Sequence, residues 1–138
     1  MKKLLIDTNI VIDLLAKREP DYYAAAQLFS LSDKKQIKLS VSSLSIANTS
    51  YILLKLKSPG EVKSILRKFK LLVDVLALDD KIINLALNDT DFNDFEDGLQ
   101  YFSAIENDQD VIITRNLKDF KKAVLPVMTA EQFLKSYK

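Results

Sequence analysis

Lys3-Leu4-Leu5-Ile6-Asp7 opens the chain with a base, three aliphatic residues and then an acid. So short an apolar block suits a strand covered on both faces, where no polar side of the sheet forces alternation. Four more blocks of strand length follow, at residues 37–41, 72–76, 111–114 and 125–128. Between them the apolar residues change to a helical period. Val62, Ile65, Leu66 and Phe69 recur at i, i+3, i+4 and i+7, as do Ala130, Phe133, Leu134 and Tyr137. Phe95, Leu99 and Phe102 form a similar stripe. Pro20 and Pro59, with Asp21 and Glu61 close behind, suit first turns of helices. Strands alternating with helices predict an α/β fold: a central, mainly parallel sheet of about five strands flanked by helices. No repeat, low-complexity tract or linker interrupts the sequence, so residues 1–138 read as one domain.

Composition narrows the chemistry. The chain is 48% hydrophobic and 28% charged, as folded globular proteins are. It contains no Cys and no His, which removes disulfides, thiolate nucleophiles, Cys/His zinc sites and every imidazole-based triad. Only two glycines occur, Gly60 and Gly98, too few for a Gly-rich phosphate loop. No apolar run approaches the roughly 20 residues that cross a bilayer, or the about 7–15 of a secretory leader. A cytoplasmic protein with no membrane contact is expected. Carboxylates, amides, hydroxyls, Lys, Arg and Tyr remain to do any chemistry.

The net charge of +1 hides an asymmetry. Residues 1–70 hold 13 Lys/Arg and 6 Asp/Glu, whereas residues 71–138 hold 7 and 13. Five acids crowd together as Asp89, Asp91, Asp94, Glu96 and Asp97. Ligands of open parallel sheets bind outside the carboxyl ends of the strands. The residues following the predicted strands there are Asp7-Thr8-Asn9, Ser42-Ser43 and Arg115 to Phe120. Asp7, Asp94, Asp97 and Asp119 are thereby delivered toward one edge. Singly, each has a structural use. Asp7 or Thr8 can cap a helix, Asp94 with Asp97 suits a capping box, and Asp119 can cap a turn. Together they repel unless a cation joins them, and an all-oxygen set without His or Cys favours Mg²⁺ or Mn²⁺. Such an ion suits phosphodiester hydrolysis by water.

Three stretches also carry a family resemblance. Leu5-Ile6-Asp7-Thr8-Asn9-Ile10-Val11-Ile12-Asp13 resembles the opening of PIN-domain ribonucleases. Asp94-Phe95-Glu96-Asp97, followed by Leu99-Gln100-Tyr101, is similar to the central acidic motif of a bacterial PIN subfamily. Residues 112–120, from Ile112 through Thr114-Arg115-Asn116-Leu117-Lys118-Asp119 to Phe120, resemble its closing motif. The resemblance spans about residues 3–134 and implies a VapC-like toxin. Such a protein is a Mg²⁺- or Mn²⁺-dependent endoribonuclease, usually dimeric and inhibited by a small antitoxin protein. It implies catalytic roles for Asp7, Asp94, Asp97 and Asp119, with Asp7, Asp97 and Asp119 as metal ligands and Asn116 an alternative to Asp119. Thr8, Asn48, Thr114 and Asn116 fall to supporting roles, with Thr114 orienting a water or phosphate oxygen. Arg115 and Lys118 fall to the RNA backbone.

One position departs from the pattern: Asn48 stands where these enzymes usually carry a Glu. An amide coordinates through its carbonyl oxygen but brings no charge, so weaker metal affinity is expected, with Asp94 supplying the missing carboxylate or activity being low. The alternative function is a degenerate PIN domain that binds RNA or a protein without cutting. A dehalogenase-like phosphatase is disfavoured because Asn9 stands where its second acid belongs. A receiver domain is disfavoured because Val75-Leu76-Ala77-Leu78 offers no phosphoacceptor; Asp79 reads as a helix cap. Asp13, six residues beyond Asp7, falls off its helical face and reads as a supporting or surface group. Lys55, Lys57, Lys63, Arg67, Lys68 and Lys70 read as two basic helix faces bordering an RNA groove, or simply as solvated ones.

Overall fold

A computed structural model describes residues 1–137; Lys138, the last residue of the expected domain, lies outside them. The expected α/β architecture is present. The strands are β1 (Lys2–Ile6), β2 (Ile37–Ser42), β3 (Asp74–Leu76), β4 (Val111–Ile113) and β5 (Val127–Met128). The helices are α1 (Thr8–Leu15), α2 (Tyr22–Asp33), α3 (Ser43–Leu53), α4 (Pro59–Lys70), α5 (Asp80–Asn88), α6 (Phe95–Glu106) and α7 (Ala130–Ser136). A short 3₁₀ turn, Leu117–Phe120, follows β4. The sheet order is β3-β2-β1-β4-β5, and all its pairings are parallel.

The sheet is covered on both faces, which is why the inner residues of β1 and all of β4 are apolar without alternation. Leu4, Ile6, Val111 and Ile113 pack on one side with Ile10 and Val11 of α1, Leu28 and Phe29 of α2 and Phe133 of α7. Leu5 and Ile112 point the other way, into a cluster with Phe92, Tyr101, Ala104 and Phe120. Successive strand residues thus serve opposite layers.

Three strands are shorter than their apolar blocks, β4 by Thr114 alone. The block at 72–76 yields only β3, because Leu71 and Leu72 finish the turn leaving α4, where Leu72 N–H bonds to Phe69 O. The block at 125–128 yields only β5, preceded by Pro126, which has no N–H to give a ladder. Helix starts follow their local chemistry. Ser58 and Glu61 form a reciprocal capping box around Pro59 at the start of α4, and Asp79 caps α5 through Ile82 N–H. Asp21 precedes α2 but makes no side-chain cap bond. The chain runs from β1 to β2 on one side and reaches β4 on the other, so the order reverses between β1 and β4. Parallel sheets bind ligands at such a reversal.

Candidate active site

β1 delivers Asp7 to that reversal point, and β4 delivers Thr114 beside it. Asp7 is the N-cap of α1 and its carboxylate is engaged on both oxygens. Oδ1 accepts from Thr8 N–H at 2.8 Å and from Gln100 Nε2 at 3.1 Å. Oδ2 accepts from Thr114 Oγ1 at 2.8 Å and from Asn9 Nδ2 at 3.4 Å. The long Asn9 contact is the weakest of these and the easiest to exchange for another partner. The capping role expected of Asp7 and its place in a cleft therefore coexist.

The second wall comes from α6. Asp94 caps this helix by accepting Asp97 N–H at 3.1 Å. Only this half of the expected capping box is formed, because the Asp97 carboxylate does not return a bond to Asp94. It faces the cleft instead. Burial first, and then the charges of Asp94, Asp119, Asp7 and Glu96, push the Asp97 carboxyl up from 3.8 to about 7. Asp119, in the 3₁₀ turn after β4, completes the group. Asp7, Asp94, Glu96, Asp97 and Asp119 line one cleft of about 420 Å³ together with Thr8, Asn9, Asn48, Gln100 and Asn116. A roomier hollow of about 520 Å³ along α5 receives nothing from the strand ends. Chemistry, and not volume, selects the site.

The donor chemistry fits a hard cation. Every candidate ligand in the cleft is an oxygen, and the raised Asp97 marks a carboxylate short of positive charge. Gln100 adds a buried oxygen, Oε1, that has no hydrogen-bond partner. Among the described residues no three acidic side chains already form a tight cage, so a cation would have to draw them inward. Both Asn116 and Asp119 line the cleft, but only Asp119 adds to the charge acting on Asp97.

Several expected residues are placed differently. Thr114 is fully buried, and its hydroxyl donates to Asp7 while accepting Asn116 N–H at 3.1 Å. It positions Asp7 and has no spare proton for water or phosphate. Thr8 is likewise occupied, with its hydroxyl 2.8 Å from Ser45 Oγ. Arg115 turns away from the cleft: Nε and Nη2 bond to Asp13 Oδ2 and Oδ1 at 2.8 and 3.2 Å. Asp13 is therefore no surface group; it is fully buried, and burial raises its pKa despite Arg115. Lys118 does not line the cleft, nor does any of the six bases Lys55, Lys57, Lys63, Arg67, Lys68 and Lys70. Lys55 and Lys57 lie beyond the end of α3, while Lys63, Arg67 and Lys70 rim a separate apolar groove.

Asn48 lines the cleft and donates to Glu96 Oε1 at 3.0 Å. The carboxylate hydrogen-bonded to Asn48 is thus Glu96, from α6. Sequence reasoning also passed over Gln100 and Ser45. Gln100 is 3% exposed and joins the two walls, donating to Asp7 and, at 2.8 Å, to Ser45 Oγ. A buried amide three residues after Asp97 was the available signal, since burial demands partners.

The profile describing the PIN domain matches residues 3–118. The chain belongs to the PIN-domain family. It is 27% identical over 135 residues to Ribonuclease VapC1 of Aquifex aeolicus, covering 96% of this chain and 93% of that protein. Among solved structures, a toxin-antitoxin complex from Klebsiella pneumoniae superposes with a TM-score of 0.71 at 20% identity, covering 92% of this chain and 97% of the other. VapC20 of Mycobacterium tuberculosis, a Sarcin-Ricin loop cleaving toxin, superposes with a TM-score of 0.62 at 13% identity, covering 79% and 86%. At these identities the solved structures establish the PIN fold. None of the helices is long and apolar enough to cross a membrane among the described residues.

Proposed function

We propose that this PIN domain is a divalent-metal-dependent endoribonuclease and the toxin of a type II toxin–antitoxin pair. One observation carries the reading: carboxylates from the end of β1, the start of α6 and the turn after β4 share one cleft at the sheet's reversal point. The ribonuclease relative and the toxin–antitoxin structures of the same fold support the substrate class and the partner. The partners proposed are RNA, a cognate antitoxin protein and a second copy of the chain.

Asp7, Asp97 and Asp119 would hold Mg²⁺ or Mn²⁺, with Asp94 and Glu96 adding negative charge around it. Bound there, the ion supplies Lewis acidity to the phosphoryl oxygens and to the attacking water. The chain's own residues do the rest. Thr114, Gln100 and Thr8 N–H hold the Asp7 carboxylate in one orientation. Outer contacts of this kind fix a ligand's geometry before the ion arrives. Asn48 holds Glu96 at the cleft rim, so the charge missing at position 48 enters from α6.

Asn48 also carries the second reading, a PIN domain that binds without cutting. A single assay decides between them. End-labelled single-stranded RNA incubated with the purified chain is expected to be cut with Mg²⁺ or Mn²⁺, spared in EDTA, and spared by Asp7→Asn. Cutting that ignores both EDTA and Asp7→Asn would overturn the metal reading. RNA bound but intact in every metal would establish the non-cutting alternative. Growth arrest on expression, relieved by Asp7→Asn, is the cellular counterpart.

A further inference from the structure

We propose that Arg18 is the phosphate-binding cation of the cleft, gripping the RNA strand beside the carboxylates; this rests on the nuclease reading above. A cleft lined by five carboxylates repels a polyanion unless something positive faces it. Of the described residues lining it, Arg18 alone is basic. The sequence points elsewhere, to Arg115 and Lys118 in the closing motif. Arg115 is consumed by Asp13, and Lys118 lies outside the cleft. Arg18 is exposed and, among the described residues, forms no ion pair within 4.0 Å. Its guanidinium is free to meet a ligand.

The backbone explains why a residue eleven positions beyond Asp7 returns to the site. Helix α1 ends in a Schellman turn: Lys17 adopts a left-handed conformation, φ 52°. Its N–H bonds to Leu14 O at 3.3 Å, and Arg18 N–H bonds to Asp13 O at 3.0 Å. The Arg18 carbonyl then accepts Tyr22 N–H at 2.7 Å, leading into α2. Arg18 is therefore pinned on both sides, and its root is fixed while its side chain reaches solvent. Lys17 holds, without glycine's freedom, a conformation that costs most residues about 1–2 kcal/mol. The buried Asp13, with Arg115 paired to it, lies under the same turn, so the element that absorbs Arg115 also presents Arg18. A planar guanidinium donating two N–H groups matches a phosphodiester's oxygens regardless of base.

The test measures binding apart from cleavage. Full-length Asp97→Asn protein in EDTA is titrated against a fluorescein-labelled 12-mer of mixed-sequence single-stranded RNA across a salt series. Adding Arg18→Ala should weaken binding about 10-fold, the size of one charge-assisted contact, and flatten the log–log salt slope by about 0.7. Arg18→Lys should keep the slope and lose only part of the affinity. Lys122→Ala, an exposed base outside the cleft, should change neither. Arg18→Ala binding with unaltered affinity and slope overturns the inference and leaves the nuclease reading standing. An equal loss from Lys122→Ala also overturns it, by showing a diffuse charge effect. If the parent protein binds no RNA at all in EDTA, the inference falls, and the nuclease reading rests on the metal-dependent cleavage assay above.

Discussion

Replacing Asp97 by Asn should make the metal-free protein more stable while abolishing the response to metal. The carboxyl of Asp97 has a pKa of about 7 instead of 3.8, because burial and four neighbouring acids disfavour its charge. At roughly 1.4 kcal/mol per pH unit, full ionisation opposes folding by up to about 4 kcal/mol. Asp97 is only half-buried, and solvent screening reduces this to about 1.5–3 kcal/mol. Removing a negative charge from the first turn of α6 returns about 0.3–1 kcal/mol. Among the described residues the Asp97 side chain accepts no hydrogen bond, so the amide breaks none. The net gain is about 0.5–2.5 kcal/mol, or roughly 2–10 °C in melting temperature.

The sign of the pH dependence is fixed by the raised pKa. The folded state keeps this proton to higher pH than the unfolded chain, so its contribution is most favourable below about pH 4. It is lost progressively to about pH 7 and is level above that. Thermal melts in EDTA from pH 4.5 to 8.5 should show the two proteins converging at acid pH and the variant ahead at neutral pH. Adding Mg²⁺ or Mn²⁺ should raise the wild type alone, by mass action on the folded state. A variant less stable than wild type at pH 8 in EDTA would refute this account. So would a gain that is equal at pH 4.5 and pH 8.

Arg115→Ala should behave as a folding defect: it strands the buried Asp13 carboxylate and should cost about 2–4 kcal/mol in urea melts, with RNA affinity of the folded fraction unchanged. Gln100→Leu removes a donor from Asp7 and from Ser45 together, and calorimetric titration with Mn²⁺ should show affinity lower by about 10–100-fold. Gly98→Ala should stabilise the protein by about 0.5–1 kcal/mol in denaturant titrations. The new Cβ would meet Ala86 Cβ at 3.5 Å, an ordinary contact, and α6 would lose its interior glycine.

Much of the site was legible because its residues cluster at boundaries between elements. Asp7, Asp94 and Asp119 each follow or precede a strong periodic segment, and caps and ligands favour the same short acidic side chains. Side-chain direction was not legible. Arg115 and Lys118 stand in the motif, yet neither reaches the cleft, whereas Arg18 enters it from a turn that has no motif. Asn48 read alone implied a lost charge; only its contact with Glu96 shows a carboxylate beside it. Asp13 shows the same limit, since a helical wheel gives a residue's angle but not its partner, and the partner here lies 102 residues away.

By itself the sequence determined the α/β order, the parallel sheet and the acidic character of one edge. Those follow from local forces: apolar period, capping chemistry and the absence of His and Cys. The tertiary structure alone decided which charges meet. Burial and Coulomb forces depend on distance in space, so the raised Asp97 pKa, the sequestered Arg115 and the free Arg18 exist only once β1, β4 and α6 are assembled.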